Sequence, residues 1–345
     1  MSNEALVAVV ILNYNGKKFL EKFLPGVIKH SGSHNIYVAD NCSSDGSQAY
    51  LTENFPSVKQ IANQANIGYA GGYNMALKHI KAKYYVLLNS DVAVPENWLT
   101  PMITLMEGNP KIAACQPRIL DEAHPNRFEY AGASGGFIDR FGYPFCRGRV
   151  FNHLEEDTQQ YNDAREVFWA TGACLFVRTE AFWEAGAFDA DYFAHMEEID
   201  LCWRLKNLGY QIYVQPASVI YHVGGGTLNK ISTRKTYLNF RNNLTTLTKN
   251  HHPKFLFGKI FIRLVLDGVA GFKFLFDGQP AHSFAVFRAH MTYYRWLPKT
   301  LAKRKAIKNK NNFAFSSRHM YQGNVVFEHF VKGKKHFGDL DKGYF

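Results

Sequence analysis

From residue 6 to about 115, short apolar runs alternate with amphipathic stretches. The pattern predicts strands over 6–12, 35–39, 57–61 and 84–88, and helices over 17–29, 45–54, 70–81 and 96–107. Runs as apolar as VAVVIL and YYVLL, closed off by polar residues, suit strands buried on both faces. Their alternation with helices predicts an α/β fold with a doubly wound, mostly parallel sheet. Asp45-Gly46-Ser47 and Pro95-Glu96 supply helix-start chemistry, and Gly68, Gly71 and Gly72 let backbone approach a ligand closely.

The pattern loosens between about 116 and 166, in a stretch rich in Gly, Pro, Arg and aromatics that reads as loops or a β-ribbon inserted over the sheet edge, on the acceptor side. Order returns with an apolar run over 173–177, a helix from Thr179, a helix opened by Glu197-Glu198-Ile199-Asp200 and running to Leu208, and a strand from about Val214 to Tyr221. From about 230 the chain turns basic, aromatic and helical. In the segment after Lys254, the polar residues Lys259, Arg263, Asp267 and Lys273 fall on one helical stripe and everything else is apolar. A second such stretch precedes the cluster Lys303-Arg304-Lys305 with Lys308 and Lys310. Two regions follow: residues 1–230 as an α/β unit, and 231–345 as a basic helical extension.

Charge sharpens that division. Residues 231–345 carry 21 Lys and Arg against 5 Asp and Glu, whereas the preceding residues carry 19 against 24. With 46% hydrophobic residues, disorder is excluded as the general state. Cys42, Cys115, Cys146, Cys174 and Cys202 show no spacing of a zinc site or disulfide framework, which fits a reducing cytosol. The N-terminal apolar run stops at Asn13 and reads as a first strand rather than a signal peptide. No stretch is long and apolar enough to span a bilayer, so the expectation is a cytoplasmic protein.

Four elements carry candidate chemistry. Asn89-Ser90-Asp91 follows an apolar strand, so Asp91 stands at a strand end, where open α/β sheets bind ligands; it either holds Mg2+ or Mn2+ against a phosphate-bearing ligand or caps the next helix. Tyr14 and Asp40, after strands one and two, either stack on and hydrogen-bond a pyrimidine base or serve as packing and cap. Three carboxylates in Glu197-Glu198-Ile199-Asp200 repel one another unless a cation, a proton or the helix N-terminus offsets them; this crowding suits a general base, or a solvated helix start. His222, at a strand end before three glycines, either completes a metal shell begun by Asp91 or is structural.

Taken together, VVILNYNG, VADNCSSDGS, NIGYAGGYNMAL, YYVLLNSDV, TGACLFVR, the EEIDLCWRLKNLGY block and VIYHVGGGT resemble, in order and over roughly residues 6–245, the inverting family 2 glycosyltransferases of GT-A fold, in particular the rhamnosyltransferase-like branch. The resemblance implies that Tyr14 and Asp40 bind the base, that Asn13, Asn66 and Gly68 also face the nucleotide, and that Asp91 is the last carboxylate of the metal motif, with Asn89 in place of the first. It implies that Glu198 is the catalytic base, one methylene longer than the usual Asp, with Glu197 or Asp200 able to take the role. It implies further that His222 binds metal and that Arg241 meets the diphosphate.

The implied reaction moves a sugar, rhamnose from dTDP-rhamnose first, from a dTDP- or UDP-sugar to a hydroxyl of a glycan or lipid-linked acceptor, with inversion, in cell-surface polysaccharide assembly. The alternative is a non-catalytic nucleotide-sugar or glycan-binding subunit, for which Asn89 speaks. The basic extension lies on an anionic membrane surface at the cytoplasmic face, or packs on the first region or a second subunit as a homodimer. No nucleic-acid reading motif accompanies its charge.

Overall fold

A computed structural model describes residues 5–224 and 232–345. The first half runs β1 (Ala5–Asn13), α1 (Lys17–His30), β2 (Asn35–Asp40), α2 (Ser47–Asn54), β3 (Lys59–Ala62), α3 (Gly68–Leu77), β4 (Ala82–Asn89), β5 (Val92–Ala93), α4 (Thr100–Gly108) and β6 (Ile112–Asp121). Short strands β7 (Gly136–Asp139), β8 (Pro144–Cys146), β9 (Arg149–Val150), β10 (His153–Leu154) and β11 (Arg165–Val167) come next. Then come β12 (Cys174–Arg178), α5 (Thr179–Glu184), α6 (Glu197–Asn207) and β13 (Gln211–His222). The extension contributes α7 (Thr233–Asn250), α8 (Leu256–Phe276), α9 (Pro280–Lys308), β14 (Met320–Tyr321) and α10 (Val325–Phe330). The expected boundary at 230 and the last glycines of VGGGT lie outside the described residues.

The main sheet has the order β11-β13-β6-β12-β4-β1-β2-β3, with β5 on β13. Its first four strands, β3-β2-β1-β4, are parallel as expected. Beyond β4 the sheet is mixed: β12 runs antiparallel to both β4 and β6, while β13 returns parallel to β6. Most of β6 falls where irregular structure was expected. Gln116, Pro117 and Arg118 break its apolar run, yet Gln116 Oε1 accepts from Thr171 N at 3.0 Å and Arg118 pairs with Asp157 at 2.8 Å, so both side chains find partners inside.

A second sheet, β10-β9-β8-β7-β14, forms from the middle stretch and is closed by the C-terminal segment. Parallel pairing of β14 on β7, and Val325 N donating to Asp139 Oδ2 at 3.0 Å, carry the chain after α9 back onto the first region. The expected basic cluster is largely turned inward as well. Lys303 is bound to Asp189 and Asp191, Arg304 donates to the Thr248 carbonyl, and Lys310 donates to the Glu184 carbonyl. Among the described residues no helix is long and apolar enough to cross a membrane.

Candidate active site

Register brings the polar strand ends together. Asn13 lies opposite Asp40, and Leu12 opposite Asn89, so the carboxyl ends of β1, β2 and β4 share one edge. The end of β13 reaches the same neighbourhood through β5, where His222 pairs with Val92.

At that edge His222 Nε2 is 3.1 Å from Asp91 Oδ1 and 3.3 Å from the Asn89 side-chain nitrogen. Its other ring nitrogen, Nδ1, is 3.1 Å from Glu129 Oε2, at ion-pair range but off the line of a good hydrogen bond. All three side chains are buried. Burial alone opposes a charged imidazole, but the hydrogen bond to Asp91 and the nearby charges of Glu129 and Asp91 prevail and lift its pKa to about 10. Glu129 was not among the expected residues: it sits in the irregular stretch with no local pattern to mark it. A carboxylate behind a ring nitrogen is how a metal-binding imidazole is oriented. One carboxylate and one imidazole, with ligand oxygens for the remaining positions, fit Mg2+ or Mn2+, which keep few protein donors and take phosphate oxygens. Among the described residues no group of three His, Cys, Asp or Glu forms a ready-made cage.

The nucleotide side departs from expectation in detail. Asp40 is buried and already receives the Asn13 amide at 2.9 Å, the Ser43 N–H at 2.8 Å and the Gln48 amide at 2.7 Å. Asn13 therefore braces Asp40 and Ser43, leaving its own Oδ1 buried with no donor. Tyr14 presents an exposed ring beside it, free to stack. Asn66 is also occupied, accepting from Asn41 and from Gly68 N at 3.0 Å each.

The glycines leave room for close protein contacts. A Cβ on Gly72 would meet Leu12 at 2.8 Å and one on Gly71 would meet Ile67 at 3.1 Å. Gly68, at φ +77°, leaves room for the Phe193 carbonyl, which accepts from Tyr69 N at 2.6 Å. The loop before α6 is thus tied to the start of α3, with Phe193, His195 and Met196 all at positive φ.

That loop presents the acidic run. Glu198 is half-buried, and burial raises its pKa to about 7 although the N–H groups of its own helix start pull it back. Glu197 is pushed well above the usual carboxylate range by burial and by the charge of Glu198, so the pair divides into a protonated Glu197 and a carboxyl poised near neutrality. Glu129 and Glu198 both raise the Cys146 thiol, so both lie within Coulombic reach of one atom.

Asp200 is excluded as an alternative base. It is fully buried, and its oxygens accept from Arg204 Nε at 2.9 Å, Lys249 Nζ at 2.8 Å and Asn250 at 2.7 Å. Nor is Arg241 free for a diphosphate. It is buried, donates to the carbonyls of Asp191 and Tyr192 at 3.2 and 3.0 Å, and stacks on Trp296 with 4.3 Å to the ring centre. Arg241 and Asp200 instead fix the turn that leads into Glu198.

Residues 8–186, just over half of the chain, match the pattern of glycosyl transferase family 2. The chain belongs to that family. An N-acetylglucosaminyl-diphospho-decaprenol L-rhamnosyltransferase of Mycobacterium tuberculosis is 25% identical to this transferase over 238 residues, covering 64% of this chain and 78% of the relative. The rhamnosyltransferase WbbL of Escherichia coli is 24% identical over 224 residues, covering 63% and 83%. Among solved structures, GalNAc-T7 with UDP, GalNAc and Mn2+ superposes with a TM-score of 0.57 at 16% identity, over 73% of this chain and 49% of that one. It shares the GT-A fold.

Proposed function

We propose that this chain transfers a sugar from a nucleoside diphosphate to a hydroxyl of a glycan or lipid-linked acceptor, inverting the anomeric carbon, at the cytoplasmic face of a membrane during polysaccharide assembly. The names of the relatives support rhamnose as the sugar, and dTDP-rhamnose is the donor that the family resemblance implies. The observation that carries the reading is the contact of Asp91 with His222 at the strand ends, supported by a carboxyl raised to about 7 at the start of α6.

An alcohol is a poor nucleophile and a diphosphate a poor leaving group, so both ends need help. Glu198 accepts the acceptor's proton as the oxygen attacks, a contribution of about 10²- to 10⁴-fold. Glu197, protonated, keeps a second negative charge out of the pocket. Tyr14 offers a stacking face for the base, and Asp40, braced by Asn13 and Gln48, the remaining acceptor capacity of its carboxylate. Asp91 and His222, the latter on giving up its Nε2 proton, would hold a divalent cation, Mg2+ or Mn2+, which when bound would neutralise charge on the departing diphosphate.

The test is donor turnover across dTDP- and UDP-sugars, with Mg2+, Mn2+ or excess chelator. Metal-dependent release of nucleoside diphosphate, fastest with dTDP-rhamnose, is expected. Nucleotide binding with no turnover of any donor would return the chain to the non-catalytic reading.

A further inference from the structure

Helix α8 is built inside out. Its polar pair is sealed against the protein: Arg263 and Asp267 are buried, joined at 2.7 Å, with Arg263 also donating to the Phe141 carbonyl at 3.2 Å. The opposite arc, Phe257, Phe261, Val265, Val269, Phe272 and Phe276, stands in the open, from 52% exposed at Val265 to 89% at Phe276. Spacings of four and three residues keep these side chains on one face. Helix α9 packs beside it and extends that surface with Phe284, Phe287, Met291 and Tyr294, all exposed. So large an apolar surface needs a covering partner.

Charge selects the partner. Arg234, Lys254, Arg288, Arg295, Lys305 and Lys308 of α7–α9 and their connections are exposed, whereas Asp267 is sealed inside and Asp277 is paired with Lys273. Two copies meeting through this face would bring like charges together, whereas an anionic leaflet accepts both the apolar face and its basic flank.

Phe284 also lines a cleft of about 600 Å³ between α7, α9 and Phe193. Arg234, Arg241 and Arg288 line it together with Tyr237. Arg234 stacks over the Phe193 ring at 4.5 Å and Arg288 over Tyr237 at 5.4 Å. Arg241 is spent on the Asp191 and Tyr192 carbonyls, but neither Arg234 nor Arg288 has a carboxylate at ion-pair distance among the described residues. Guanidinium groups held by aromatic faces and left without counter-ions suit phosphate. Phe193 belongs to the loop that leads into Glu198, so the cleft runs from the apolar face to that loop.

We propose that the α8–α9 face seats in an anionic leaflet and that the arginine cleft at its border takes the phosphate head of a membrane lipid. The site deepens the lipid-linked acceptor reading and rests on it only for which lipid is then glycosylated.

Flotation of the full chain with phosphatidylcholine vesicles, plain, with about 30 mol% phosphatidylglycerol, or with about 5 mol% geranylgeranyl diphosphate, tests both parts. Recruitment to the two anionic vesicles and not to the plain ones is expected. Phe261→Glu with Phe272→Glu should cut it by about tenfold or more while circular dichroism and melting temperature hold. Arg234→Ala with Arg288→Ala should lose the diphosphate-dependent recruitment and keep most of the phosphatidylglycerol binding. A dimer in solution that ignores all vesicles would overturn the leaflet and assign the face to a second copy. Equal diphosphate recruitment of the arginine variant would overturn the cleft. Inorganic pyrophosphate binding as tightly without vesicles would make the cleft a free-phosphate site. Donor turnover by the wild-type chain in vesicle-free buffer reports separately on the transferase reading.

Discussion

In β4, Tyr84 to Leu88 are buried, and after Lys83 polar residues return only where the strand runs out, at Asn89 and just beyond it at Asp91. In α8 the arrangement is reversed, with Arg263 and Asp267 inside and Phe257 and Phe276 outside. Helix α7 goes further: Asn242, Asn243, Thr246, Lys249 and Asn250 are all buried, and each finds a partner. The sheet holds the site by apolar packing, whereas the extension holds it by a polar interior that reaches Asp189, Asp191 and Asp200 around the loop into Glu198. A hydrophobic inside and a polar outside is therefore a rule for one region of this molecule and not the other.

The largest expected effect falls where the two regions meet. Glu198→Gln keeps the helix start and removes the proton acceptor, so turnover should fall about 10²- to 10⁴-fold with donor affinity unchanged. Single-turnover transfer and nucleotide titration check this; a near-normal rate would take Glu198 out of the base role.

Next in size is the polar interior itself. Lys249 sits between Asp189 at 2.7 Å and Asp200 at 2.8 Å, with almost no exposure. Burial works against the charge on Asp189, but Lys249 and Lys303 hold its pKa well below the usual carboxylate range. Lys249→Met strands buried carboxylates and should cost about 3–5 kcal/mol, read by denaturant unfolding. A cost near zero would mean that α7 does not buttress the loop.

How far sequence reaches differs in the same way between the regions. The strand ends were legible because an apolar run followed by Asn, Asp or His marks a buried strand meeting a ligand edge; Asp40, Asp91 and His222 were found so. β6 was not, because Gln116 and Arg118 look like loop residues until Thr171 and Asp157 arrive from 55 and 39 positions away. Pro117 is tolerated because β13 shifts register there, between Gln215 and Val219. Glu129 carried no local mark, since its role exists only once β13 delivers His222. In α8, periodicity gave the polar stripe but not the side it faces. That depends on Asn243 and Phe141, which offer Arg263 partners inside.

Two smaller effects sharpen the site. Asp91→Ala and His222→Ala should each raise the Mg2+ or Mn2+ concentration for half-maximal turnover by about tenfold or more, as loss of one of few protein donors does; full activity in excess chelator would dispose of the cation. The pH profile follows from Glu198. A base works deprotonated, so kcat/KM should fall about tenfold per unit below its pKa of about 7 and level off above it. The same raised pKa means that the folded chain binds an extra proton between the ordinary carboxylate range and about 7, so this group's contribution to stability is lost as pH rises through that window. Glu198→Gln should accordingly gain more melting temperature over wild type at about pH 8 than at about pH 5.

The smallest expected effect bears most directly on the contrast between the regions. Phe176 in β12 and Phe261 in α8 are the same side chain, 0% exposed in one place and 67% in the other. Phe176→Ala opens a cavity in the core on one face of the main sheet, beside Tyr84, and should cost about 3–5 kcal/mol. Phe261→Ala removes apolar surface that water already touches, so in vesicle-free buffer it should change stability by no more than about 0.5 kcal/mol. Paired unfolding curves measure both. A large cost at Phe261 in a monomeric, lipid-free sample would show that the α8 face is covered from within the chain, and the two regions would then follow the same packing rule.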